Sequence, residues 1–393
     1  MSLHQKNFST WLLFGFALSS AVANPLESLS KSKVPALQKV FGDIEKFQPQ
    51  ILYTTIKRGN SGKIIALKTH SFNVDPDRYF YPASTIKLPA AILALEFLNK
   101  KSESISLSRN TRYEIFGTEL NEIYPDPLER TSAIAIDIEK IAVISGNMAF
   151  NRLYDLIGPD TIESRLQELG LRRPRMSHRL AISLAPELNR TLLGFHFEGI
   201  DRSLLAERRL PDRDYLPIET IGRGYLSRGE FVQKPFPVHR RNFIGLTDLH
   251  ETLLGLVLGD QYNALPQFEI TNDQRSYLKS VFSRLPRESV ILAKEDQEKP
   301  DNYVKFLVYG DRPDELIPDS ITIINKIGQA YGFLTDTAYI MDEAAGIEFG
   351  LSATVFVNEN LIFNDNQYEY DQIGLPFLGE LGRQVLELER AKK

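Results

Sequence analysis

A serine followed three residues later by a lysine can supply a nucleophile and its base, provided the lysine is held neutral. On a helix, residues three apart share a face, so the amine can reach the hydroxyl. A serine at a helix N-terminus also sits at the positive end of the helix dipole, which favours an alkoxide and a developing oxyanion. The spacing occurs four times in this chain: Ser28 with Lys31, Ser30 with Lys33, Ser84 with Lys87, and Ser276 with Lys279. Ser28 and Ser30 lie in a polar stretch near the start, and no companion motif follows Ser276 at a plausible distance. Ser84 and Lys87 sit in YFYPASTIKLPA, where aromatic residues and proline lead into an apolar, helix-like run.

Two more small elements stand further along, Ser145-Gly146-Asn147 and Lys326-Ile327-Gly328. Singly they carry little, since Ser-x-Asn also occurs at Ser71 and Ser108, and Lys-x-Gly at Lys57. Other catalytic signatures are missing: the chain has no Gly-x-Ser-x-Gly elbow, His-Glu-x-x-His pair, P-loop or Gly-x-Gly-x-x-Gly. His70, His178, His196, His239 and His250 show no ligand spacing and read as structural or surface residues, so neither a metal nor another cofactor is expected.

Taken together and in this order, the elements resemble the active-site motifs of the class A β-lactamase-like serine hydrolases, a superfamily that includes penicillin-binding proteins. The flanks extend the likeness. YPASTIK is similar to the nucleophile segment, IAVISGNMAFNRLYDLIG to the second motif and its helix, and ITIINKIGQAYGFLTDTAYIMD to the strand and turn of the third. The extra length of this chain lies between the second and third motifs. The resemblance implies an α+β fold in which an antiparallel sheet, flanked by terminal helices, carries an inserted all-helical subdomain.

It also implies roles. Ser84 is the nucleophile and Lys87 its base, kept neutral by burial and by a second cation, Lys326. Ser145 relays a proton to the leaving atom, and Asn147 binds a substrate amide. Gly328 belongs to the third motif, and the N–H groups of Ser84 and Gln329 form the oxyanion hole. The substrate class is a small molecule or a peptidoglycan-like amide, ester or lactam. β-Lactamase, D-alanyl-D-alanine peptidase and esterase activities all stay open, as does a non-hydrolytic penicillin- or ligand-binding protein.

The chain departs from the family at three places. Glycine occupies the middle of the second motif. Class A β-lactamases carry a deacylating glutamate three residues before a Leu-Asn pair. In SLAPELN that position, counted from Leu188, is Ala185, and Glu187 falls one residue before Leu188. The third motif has Ile327 where the family has a hydroxyl that helps hold a carboxylate, and TDTAYIMDE offers no arginine in its place. Slow deacylation of β-lactams and substrates without a carboxylate are therefore expected.

The elements that must position these residues follow from pattern. Of the 393 residues, 42% are hydrophobic and 25% charged, and the net charge of −5 gives no field that would recruit nucleic acid. MSLHQKNF, WLLFGFAL and SSAVA read as a signal peptide cut after Ala23, which places the product in a bacterial periplasm or outside the cell. The apolar run is too short to span a bilayer. Cysteine is absent, so neither disulfides nor thiolate chemistry are available.

Residues 27–47 have helical periodicity, and ILYTTIKRGNSGKIIALK is a hairpin pattern around Gly-Asn-Ser-Gly. Residues 84–190 read as successive helices. The stretch from about 191 to 241 is irregular, with nine basic and seven acidic residues in 195–241, hence a mixed-charge surface insertion. KFLVYG, ITIINKIG, TAYIMDE and IEFGLSATVFVN read as strands, and PFLGELGRQVLELERAKK as a closing helix. The expected division is a signal peptide at 1–23 and a hydrolase domain at 24–393. Its sheet part is 24–82 with 290–393, and its helical part is 83–289. Ser84 then falls where the chain leaves the sheet, and the junction of the two parts is a natural place for a pocket.

Overall fold

The computed structural model describes residues 24–392 apart from 103–105, 173, 202 and 206–219. The expected signal peptide and part of the insertion therefore lie outside the described residues. No described helix is long and apolar enough to cross a membrane.

The periodic stretch near the start is three short helices rather than one: Pro25–Leu29, α1 (Pro35–Phe41) and Ile44–Phe47. Pro35 opens α1, where a missing N–H costs nothing, and Gly42 caps its end. The hairpin follows as expected, with β1 (Gln50–Arg58) and β2 (Ile64–Phe72) paired antiparallel. Next come α2 (Lys87–Ser102), α3 (Ile134–Ile144), α4 (Asn147–Ile157), α5 (Leu246–Leu258) and α6 (Asn272–Ser283). α2 is apolar nearly all round, with Leu88 to Leu95 buried, which suits a helix at the centre of a block.

The expectation of uninterrupted helices over 84–190 fails in one respect. Arg112–Phe116 is a strand pairing with Thr131–Ala133 and with Gly194–Phe197. KFLVYG, expected as a strand, forms turns. The N–H groups of Phe306 and Leu307 go to the Asp336 carboxylate at 3.1 and 3.0 Å instead of to a neighbouring strand.

The late strands β3 (Ile321–Ala330), β4 (Phe333–Asp342) and β5 (Ile347–Phe356) complete a sheet of order β3-β4-β5-β1-β2, antiparallel throughout. α7 (Leu375–Arg390) closes the chain. One face of the sheet, with Ile323, Ile327 and Ala338, packs on Leu37 and Val40 of α1 and on Phe377 and Leu381 of α7. The other face, with Ile324 and Tyr339, packs on the helical block. α5 lies on this second face, where His250 is held between the hydroxyls of Thr54 and Ser352 at 2.7 Å each. Successive residues of a strand point to opposite faces. Lys326 therefore shares the face of Ile324, toward the helices, and Ile327 points to the terminal-helix core.

β3 and β4 join through Tyr331 and Gly332, with φ of +57° and +82°. Both central residues are left-handed, the type I′ geometry that matches the twist of a hairpin. The insertion docks beside this turn. Its strand Gly224–Ser227 pairs in parallel with Ile362–Phe363, and Phe236 lies flat on Phe363 with ring centroids 5.1 Å apart.

Candidate active site

The segment that leaves β2 for the helical block ends in a tight 3₁₀ turn, Ala83–Ile86, continuous with α2. Ser84 is in this turn, half-buried, and its hydroxyl has no hydrogen-bond partner among the described residues. Ala83 before it has φ of +47°, a left-handed conformation that a residue with a Cβ adopts only under constraint. The constraint is visible at edge strand β3. A Cβ on Gly328 would stand 2.4 Å from the Pro82 carbonyl oxygen and 3.2 Å from the Ser84 nitrogen. Only glycine lets the strand come this close to the turn that holds Ser84. Gly328→Ala should accordingly push the two apart, lowering stability by roughly 1–3 kcal/mol as overpacking does. It should also slow acylation about a hundredfold, the effect of a misplacement near 1 Å. Thermal unfolding and adduct formation measured on one preparation check both effects. An unchanged acylation rate would show that the contact does not set the geometry.

Lys87 is fully buried. Its amine donates to the Ser145 carbonyl at 2.5 Å and to Asn147 Oδ1 at 2.7 Å, with a longer contact of 3.4 Å to Ser145 Oγ. The expected hydrogen bond to Ser84 is not formed. The two short contacts use both hydrogens of a neutral amine and leave its lone pair free to accept a proton. Burial, and after it the charge of Lys326, hold the Lys87 amine well below the usual lysine range.

Ser145 reaches this position because it ends α3 in a left-handed conformation, φ +54°, while Asn147 begins α4. Gly146 fits between them, where a side chain would press on Lys140. Lys326, 1% exposed, donates to Ser145 Oγ at 2.9 Å and to its neighbour's carbonyl at 3.0 Å. Burial brings it down to about 7, against the pull of Asp336 and with the push of Lys305.

Ser145 thus bridges the two lysines, and Lys87, Ser145, Asn147 and Lys326 form one connected cluster beside Ser84. Gln329 shares the cleft wall with Ser84 and Asn147. Ile327 does not: its side chain is in the core behind the sheet.

The segment after α4 supplies the opposite wall, though not through the residue expected. Leu180 and Ala181 line the cleft. Ala185 instead N-caps a one-turn helix, Pro186–Asn189, and Glu187 is exposed. Two contacts set this register. Asn151 clamps the backbone of Leu180, accepting from its N–H at 2.7 Å and donating to its carbonyl at 3.0 Å. Arg179, fully buried, pairs with Asp155 at 2.6 Å. Sequence reading also missed Tyr81, Tyr331, Tyr368 and Tyr370, which line the same cleft.

Known proteins share the fold. Residues 36–201 match the model of the Beta-lactamase enzyme family, a span that includes the first two motifs but not the third. The fold is similar to the beta-lactamase from Desulfarculus baarsii at 14% identity, with a TM-score of 0.50 over 89% of this chain and 97% of that one. A halotolerant bacterial beta-lactamase is similar at 18% identity, with a TM-score of 0.50 over 90% of this chain and 98% of that one. The class A beta-lactamase from Mycobacterium abscessus is similar at 15% identity, with the same TM-score over 90% and 98%. No curated protein sequence matches the chain. Residues 36–201 are thus similar to the Beta-lactamase enzyme family, and the chain shares the fold of solved beta-lactamases.

Proposed function

We propose that the chain is an exported serine hydrolase that transfers acyl groups through an ester on Ser84, and that it releases β-lactam acyl groups slowly. The observation that carries this reading is the cluster itself. A buried lysine whose two amine hydrogens are engaged and a serine hydroxyl between two lysines lie beneath the cleft on which the unpartnered Ser84 opens.

Ser84 Oγ attacks the carbonyl carbon as its proton passes to Lys87 Nζ. The backbone N–H groups of Ser84 and Gln329 receive the oxyanion. Collapse breaks the bond to the leaving nitrogen or oxygen, which takes a proton from Ser145 Oγ. Lys87 and Lys326, both bonded to Ser145, restore that proton. In a lactam the leaving nitrogen stays tethered to the acyl group.

Mapping a serine-directed phosphonate by peptide fragmentation tests the assignment. The label belongs on Ser84, and a label elsewhere, or none, sinks it. Acylation should also depend on pH with a definite sign. It needs Lys87 neutral and Lys326 charged, so it should fall as pH rises through about 7, where Lys326 loses its proton. A rate that stays level to about pH 9 would show that the Lys326 charge is not used.

A second reading, a binding protein that retains the fold, draws on one fact: no carboxylate lines the cleft among the described residues. In that case Ser84 would be acylated once and not released, or not acylated at all.

A further inference from the structure

The cleft over Ser84 has a volume of 460 Å³, and none of the described residues that line it is acidic or basic. Lys87 and Lys326 lie sealed below it, 0% and 1% exposed, with their short hydrogen bonds directed at Ser145, Asn147 and the Ile327 carbonyl. A lysine lowered to about 7 also carries only part of its charge at neutral pH. Neither lysine is therefore placed to grip an anionic substrate, and Ile327 offers no hydroxyl to help.

Among the described residues, Arg241 stacks on aromatic rings at the edge of this region. It lies over Phe236 and Tyr331, 4.9 and 5.7 Å from their centroids, and is not part of the lining.

What the cleft does present is aromatic and neutral-polar. Tyr370 accepts the Gly332 N–H and Tyr368 the Asn364 N–H, each at 2.8 Å, so these two phenols hold the frame. Tyr81 and Tyr331 stand 4.9 Å apart by ring centroid. Their hydroxyls, and the exposed carboxamides of Gln329 and Asn366, have no hydrogen-bond partner among the described residues. The posture of Tyr331 is set by its left-handed hairpin position and by Phe236 of the insertion, whose ring centroid is 5.1 Å away. The 191–241 insertion thus helps to build the substrate wall.

We infer that the natural substrate is an uncharged ester or amide bearing a ring, which packs on Tyr331 and Tyr81 and meets Gln329 and Asn366 through neutral hydrogen bonds. No carboxylate anchor takes part. The inference rests on the acyl-Ser84 reading and adds the substrate class to it. Aromatic faces and carboxamides bind such a group without an ion pair, whereas a carboxylate here would lose its water and gain no cation from the described lining.

A penicillin and its methyl ester differ in that charge and one methyl group, so the rate of adduct formation on Ser84, followed by intact-protein mass spectrometry, is the test. The ester should react about tenfold faster than the acid. Gln329→Arg, a change at an exposed cleft residue, should narrow or reverse the ratio. Tyr331→Ala should slow the ester. A free acid that reacts as fast as its ester, or faster, overturns the inference. So does the absence of adduct from either compound while a small phosphonate still labels Ser84. If the phosphonate fails as well, the acyl-enzyme reading falls with it.

Discussion

Exposed to a penicillin, as its methyl ester or for longer as the free acid, the protein should gain one adduct of the whole penicillin mass, and Ser84→Ala should gain none. The full mass is expected because the attacked lactam bond opens within a ring and nothing leaves. The effect is the largest available, since Ser84 is the serine whose unpartnered hydroxyl opens on the cleft that Lys87 and Ser145 serve from below. Lys87→Met, which keeps the bulk of the side chain and removes the base, should slow the same adduct by about a thousandfold. The pair of variants separates two explanations. If both lose the adduct because the cleft has collapsed, their thermal unfolding will show it. If both fold and Lys87→Met forms the adduct nearly as fast as the wild type, Lys87 is not the base and another group takes the proton. An adduct that survives Ser84→Ala would place the nucleophile elsewhere.

Much of this site was legible because its parts sit at positions that local rules fix. The helix start after YFYPA and the strand around Lys326 need only periodicity and turn chemistry, and they locate Ser84, Lys87 and Lys326 on their elements. Strand alternation even settles the direction of Ile327, which a motif comparison alone had placed beside the substrate. What stayed hidden depends on contacts between distant segments. Lys87 turns to Ser145 and Asn147 because those residues arrive 58 and 60 positions later. Leu180 reaches the cleft, and Ala185 does not, because Asn151 holds both backbone groups of Leu180 from 29 residues away. KFLVYG has the composition of a strand, but the buried Asp336 takes its N–H groups, and no local rule anticipates a carboxylate 29 or 30 residues downstream. The tyrosines of the cleft come from the approach to Ser84, from a hairpin turn and from the segment after β5, so no single motif could have announced them.

Release of the acyl group should be slow in the wild-type protein and should quicken about a hundredfold in Leu180→Glu. Hydrolysis of the Ser84 ester needs a water and a base to take its proton, and no carboxylate among the described residues lines the cleft. Position 180 is where a base can be supplied. Its side chain shares the cleft with Ser84 and Asn147, and the Asn151 clamp leaves the backbone little freedom to swing it away. Leu180 is 6% exposed, so a carboxylate there is poorly solvated. Its pKa should rise toward neutrality, where a general base works best, at a cost of roughly 1–3 kcal/mol in stability. The lifetime of the adduct, read by mass spectrometry after excess penicillin is removed, measures the gain. Leu180→Gln supplies the same bulk and polarity without a base and should leave the lifetime long. If Gln shortens it as much as Glu, admission of water rather than proton transfer limits release. If the wild-type adduct already disappears within one mixing time, a base other than residue 180 serves the cleft, and the expectation of slow release is wrong.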